Sequence, residues 1–271
     1  AGLVDGLSAR WQGPVATPGI TAYQARGRVS QLALTGQPSG QMSSFGPYPV
    51  PGRPGVSGAS AEFDLNQDGG SARVAIAQGS LTLPGVFEQA VVPLDSLQAD
   101  MRWTVKGERI ELWTDNLRLA NADAAGSGRL RWSTADPARS SAASRFPGVL
   151  DLQATLHQAD AKQVHRSLPL SVGPEVRRYL REAIRGGRSD RVEFRVRGDL
   201  WDLPFHQPGA DGEFRIAAQL RGVDYDFLPP HLQAVGEPRW PALQGVDGQL
   251  VLDRGTLRLS GLGSGVDGWP R

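Results

Sequence analysis

The sequence has no cysteine. Disulfides, cysteine-based zinc sites and a cysteine nucleophile are therefore excluded. It also lacks an excess of charge of either sign. Lys plus Arg number 29 against 28 for Asp plus Glu, a formal net charge of +1, whereas a nucleic-acid binder ordinarily carries a clear basic surplus. No run of about 18 apolar residues occurs, so no membrane-spanning helix is encoded here. No signal-peptide pattern is found either. The chain opens in mid-theme at Ala1-Gly2-Leu3 and stops after Trp269-Pro270-Arg271. It reads as an excised piece whose targeting segment lies elsewhere, with a trimmed mature protein as the alternative. A P-loop, a Gly-x-Ser-x-Gly elbow and a zinc-protease helix are all missing.

What is present is turn-forming and alternating. Glycine (34) and proline (20) make up about a fifth of the 271 residues, with 39% hydrophobic and 21% charged. That is an ordinary folded composition with many turns, long enough for one large β domain or two small ones. Apolar residues recur at every second position. Ala61, Phe63 and Leu65 precede an Asp68-Gly69-Gly70 turn into Val74 and Ile76, as in a hairpin. Leu97, Ala99, Met101, Trp103 and Val105 turn at Lys106-Gly107-Glu108 into Ile110 and Leu112, with Leu117 and Leu119 beyond. Further strands carry Leu150, Leu152, Ala154 and Leu156; Val192, Phe194 and Val196; Phe214, Ile216, Ala218 and Leu220; and Leu250 and Leu252 against Leu257 and Leu259. The intervening positions are polar, as in Arg191, Glu193, Arg195 and Arg197. One apolar and one polar face mark an antiparallel sheet wetted on one side. The loose repetition of strand, Gly-containing turn and strand suggests stacked hairpins extending one sheet.

Residues 37–58, rich in Gly, Pro and Ser, are expected to form a long loop, and 134–147 a second excursion. The expected organisation is a first β segment over 1–136, a linker or loop over 137–147, and a second β segment over 148–271. The second segment carries a helix over 174–185. Pro174 suits a first helical position, Val176, Leu180 and Ile184 share one face, and Gly186-Gly187 would end it. A weaker short helix is expected over 161–166.

Candidate chemistry is sparse. His157, His165, His206 and His231 show no metal-ligand spacing with one another or with carboxylates. Asp224 and Asp226 flank Tyr225 and would share a strand face, which allows a hydrolytic pair, although a solvated strand face accounts for them more simply. The seven tryptophans (Trp11, Trp103, Trp113, Trp132, Trp201, Trp240, Trp269) are spread without shared spacing, which favours packing over a sugar platform. Arg177, Arg178, Arg181 and Arg185, followed by Arg188, face only Glu175 and Glu182. Such a basic helix could lie near anionic headgroups, and a solvated outer face explains it as well.

The run Phe194-Arg195-Val196-Arg197-Gly198-Asp199-Leu200-Trp201-Asp202-Leu203-Pro204-Phe205 resembles the strand-Gly-x-Leu-x-Asp-Phe-Pro-Phe signature of the YhdP family of AsmA-like bacterial envelope proteins. Other pieces follow in the family's order. Asn121-Ala122-Asp123 with Gly126, Leu168-Pro169, Tyr179-Leu180 with Ala183-Ile184, and Gly212-Glu213-Phe214 are similar to it. So are Val223-Asp224-Tyr225, Trp240-Pro241-Ala242-Leu243 and Val246-Asp247-Gly248-Gln249-Leu250. These cover roughly residues 100–260. Ser167 stands where the family tends to have Tyr, and Tyr179 replaces Trp.

The resemblance implies a periplasmic section of a very large protein, anchored in the inner membrane through a segment absent from this chain. It implies a mainly β fold, a long, curled antiparallel sheet forming an apolar groove, and a part in moving phospholipids toward the outer membrane. On that reading there is no catalytic residue, metal or cofactor, and the partners are phospholipid acyl chains and other envelope proteins, not nucleic acid. The residues expected to line the groove are Met101, Trp103, Ile110, Leu112, Leu152, Leu156, Phe194, Val196, Phe214 and Ile216. Alternation alone fits a closed sandwich equally well. The alternatives are thus a non-enzymatic structural or assembly module with a sandwich core, and a glycan-processing enzyme built on facing carboxylates.

Overall fold

The computed structural model describes residues 1–13, 22–38, 52–141, 143–170, 173–205, 209–234, 236, 240–254 and 256–266. Twelve strands succeed one another: β1 Leu3–Gln12, β2 Ala22–Leu34, β3 Gly55–Asn66, β4 Gly69–Thr82, β5 Val91–Lys106, β6 Arg109–Ala120, β7 Ala124–Ser133, β8 Val149–Asp160, β9 Ile184–Asp199, β10 Gly212–Tyr225, β11 Leu243–Asp253 and β12 Thr256–Val266. They form one antiparallel sheet in sequence order, β1 to β12, not closed into a barrel. The expected fold class is therefore the observed one. A closed sandwich is not: it needs a second sheet, and among the described residues each strand packs extensively only on its sequence neighbours.

Surface area makes the same point. The chain exposes 17203 Å², about 1.5 times the roughly 11,400 Å² of a compact globule of its mass. Among the described residues, the largest fully buried side chains are Phe205 and Pro229. A small core sits at one strand-end region, where Ala59, Ile76 and Leu94 are buried beneath Leu32, Val56, Leu81, Val92 and Leu97.

Except at β4–β5 and β8–β9, every strand pair slips register once or more. Several of these bulges hold a residue at positive φ, among them Gly6, Gln31, Gly58, Gly187, Gly222 and Gly261. A bulge bends its strand and increases local twist, so the sheet cannot lie flat.

Three expectations need correction. The helix α1, Pro174–Ala183, ends before the Gly186-Gly187 pair. Ile184 leaves the helix at φ −94°, ψ 108°, because strand pairing with Tyr225 captures it as the first residue of β9. The weaker helix is a 3-10 turn, Ala161–Ser167, capped by the Asp160 side chain accepting from Lys162 N–H at 2.9 Å. The long loop after β2 stops at Gly55, since Gly55 to Ser57 already pair with β4; positions 39–51 of that loop lie outside the described residues. Residues 134–148 connect β7 to β8, with Thr134 and Ala135 buried.

Candidate functional site

Directly paired residues share a face, so the registers assign side chains to the two sides of the sheet. One row runs Trp103, Leu112, Trp132, Leu150, Gly198, Gly212. The next runs Met101, Thr114, Leu130, Leu152, Val196, Phe214, and continues the other way through Ala72 and Phe63. A third joins Leu117, Gly128, Ala154, Phe194, Ile216 and Leu252. A fourth joins Leu119, Gly126, Leu156, Val192, Ala218 and Leu250. With Val105 paired to Ile110, all ten residues expected to line a groove lie on one face. Val196 is buried and the other nine are half-buried. They shield one another sideways, and among the described residues no second layer covers them. Leu130, Leu150, Ala154 and Val192 belong to the same surface; the alternation that marked their neighbours marks them too.

The opposite face is a lattice of cross-strand ion pairs. Arg28, Glu62, Arg73 and Asp100 form a chain from β2 to β5, which Asn116 extends by donating to Asp100 Oδ2 at 2.6 Å. Arg195 bridges Asp151 on β8 and Glu213 on β10. The cations are almost all arginine, 27 against two lysines, a bias that suits forked pairing to carboxylates. Trenches of about 580 and 720 Å³ lie between these standing side chains.

The Arg195 hydrogen bond holds the Asp151 carboxyl below its usual range, against an opposing push from burial. A depressed carboxylate stabilises the fold above its unfolded value of about 4, and that contribution is lost as pH falls through the lower folded value. Asp151→Asn is thus expected to cost at most about 1 kcal/mol at pH 7, since Asp151 is well exposed. Thermal melts of the two proteins should converge as the pH is taken below the unfolded carboxylate value of about 4.

At one strand-end edge, the helix and its neighbouring connections interlock. Arg181 pairs with Glu88 at 2.6 Å, Arg178 with Glu182 at 3.0 Å, and Arg166 with Asp123 at 2.8 Å. Arg185 and Arg188, on β9, pair with Asp226 and Asp190. Arg177 is buried and donates to the Leu170 carbonyl. The basic stripe read from the sequence is therefore largely paired: Arg181 and Arg185 with carboxylates of other connections, Arg178 and Arg188 with carboxylates of their own elements. His231 reaches Glu182; hydrogen bonds from Arg178 first, and then from His231, lower the Glu182 carboxyl. Burial, and secondarily the Tyr179 hydroxyl at 2.6 Å, raise the Tyr225 phenol.

At the other edge, the connection after β9 folds back on the sheet. Phe205 is fully buried on the paired Gly198 and Gly212. A Cβ at Gly212 would stand 2.3 Å from Phe205 Cδ1, and one at Gly198 would stand 2.8 Å from Cε1. This gives the Gly-to-Phe spacing of residues 198–205 its physical meaning.

The remaining candidates separate. His157, His165 and His231 do not converge, and no group of three or more potential metal ligands occurs among the described residues; His206 lies outside them. Asp224 and Asp226 line one cavity, but Asp224 accepts from Gly245 N–H at 3.0 Å and Asp226 from Arg185 at 2.7 Å. Trp103 and Trp132 belong to the apolar face, Trp113 to the polar face. Trp11, Trp201 and Trp240 are exposed, and Trp269 lies outside the described residues.

A family model described as YhdP protein matches residues 1–263. The chain belongs to the YhdP family. No curated protein and no solved structure matches it. Family membership extends over the first hundred residues, where the sequence offered no ordered motifs.

Proposed function

We propose that this chain is a section of a lipid-carrying sheet, non-enzymatic, whose apolar face shelters phospholipid acyl chains. The full-length protein would be anchored in the inner membrane, cross the periplasm, and help move phospholipids toward the outer membrane. The observation that carries this reading is the uncovered face of half-buried apolar side chains running from strand to strand. Exposing an acyl chain to water costs about 0.8 kcal/mol per methylene, hence on the order of 10 kcal/mol for a chain of about 16 carbons. A continuous apolar surface offsets that cost at every point along it, with the headgroup left in water at the strand-end edge. Bulges that bend successive strands favour a trough with the apolar rows inside and the arginine–carboxylate lattice outside. Transfer along such a trough needs no reacting group.

The assembly-module reading has one observation in its favour. On strand β1, Leu3, Val4, Leu7 and Trp11 are all exposed, an apolar patch suited to contact with a protein partner. Native mass spectrometry of the purified chain, with lipid extraction, tests both. Co-purifying or vesicle-acquired phospholipid is expected. A folded chain that takes up no lipid but retains protein partners overturns the lipid reading.

A further inference from the structure

Where β10 passes into the connection to β11, a cavity of about 530 Å³ holds charges of both signs beside an exposed indole. Its wall carries Arg185, Asp224, Asp226 and Trp240. Asp226 is 8% exposed. Its Oδ2 accepts from Arg185, while Oδ1 has no hydrogen-bond partner among the described residues. A buried carboxylate with half its acceptor capacity unused is costly unless another donor completes it. Arg185 is half-exposed and, among the described residues, pairs through one nitrogen with Asp226. Trp240 is 54% exposed, and Phe227 packs edge-on against it with centroids 5.7 Å apart. The indole is thus held in place without being covered.

We propose that this cavity binds a phosphate–ammonium zwitterion, the headgroup chemistry of an aminophospholipid, and so adds headgroup selectivity to the lipid-carrying reading on which it rests. The phosphate takes the Arg185 fork. As the guanidinium turns to it, the ammonium replaces it on the Asp226 carboxylate, near Asp224 and over the Trp240 face. An anionic headgroup without an ammonium would meet two carboxylates and one guanidinium, and would leave the carboxylates unmatched. The cavity lies at the strand-end edge, where a headgroup sits if its acyl chains lie on the apolar face.

The test uses the full 271-residue chain and mixed vesicles of phosphatidylethanolamine and phosphatidylglycerol with identical acyl chains, the bound lipids being counted by native mass spectrometry. Phosphatidylethanolamine should be enriched about two- to fivefold, the size of an exposed cation–π contact. Trp240→Ala, at an exposed position, should bring the ratio to unity with total lipid and melting temperature unchanged; Arg185→Gln should do the same to the ratio with a lowered melting temperature, because it removes the cation paired with the buried Asp226. Equal uptake of the two lipids by the unmutated chain overturns the headgroup site and leaves the acyl-chain reading standing; uptake of neither overturns both. Free phosphoethanolamine is the second arm. Quenching of Trp240 fluorescence by it in lipid-free protein, with unbiased lipid uptake, identifies a soluble zwitterion as the ligand. No response in either arm removes the zwitterion site.

Discussion

Phe205→Ala is expected to destabilise the chain by about 3–5 kcal/mol, the cost of truncating a fully buried aromatic that leaves a cavity. Urea or thermal unfolding reads it directly. Three features put this position at the top of that range. Phe205 is, among the described residues, one of two large side chains buried to completion, so little surrounding core can collapse into the gap. Its φ is +62°, a conformation that costs an aromatic residue about 1–3 kcal/mol, and the ring's burial is what offsets it. Its seat is two glycines with no side chains to fill the space. Gly212→Ala attacks the same contact from beneath, since the added Cβ would stand 2.3 Å from the ring. A double-mutant cycle separates this account from a general weakness of the connection. Gly212→Ala should be damaging with Phe205 present and nearly harmless in the Phe205→Ala background, a strong non-additivity. Additive losses would mean that the ring and the glycines are not in contact.

Phe194→Asp or Ile216→Asp is expected to reduce bound phospholipid at least tenfold in a chain that still folds. The two residues are direct cross-strand partners on the uncovered face, and both are half-buried. A carboxylate there retains access to water in the lipid-free protein, so its cost to folding is modest. Once acyl chains cover it, the charge must be desolvated without a partner, at several kcal/mol. Thr155→Asp is the matched control, placed on the polar face between Ser127 and Glu193, and should leave lipid unchanged. Unfolding by the Phe194 and Ile216 variants would show instead that these residues are core.

Much of the sheet was legible because alternation is local. Met101 to Val105, Leu150 to Leu156 and Val192 to Val196 each declare a strand and a face within a few residues. The first two strands were not declared. Leu3, Val4 and Leu7 fall out of phase across Gly6, and β2 shifts at Gln31, so each bulge breaks the period that pattern reading requires. Helix α1 announced its start through Pro174 but not its end, which depends on a strand partner at Tyr225, 41 positions away. The arginine–carboxylate lattice was equally hidden. Arg28 and Glu62, or Arg195 and Glu213, become neighbours only once register is set. Nor does alternation say whether anything lies on top of the apolar face, and that question separates a trough from a sandwich.

The serial order of the strands bears on how the chain acquires its structure. Every strand is hydrogen-bonded to those immediately before and after it, so no pairing waits for a distant segment to arrive. Loop closure between remote segments is what makes most β proteins slow to fold. Here each new hairpin can add to a finished edge, and structure can extend strand by strand at the pace at which the chain emerges.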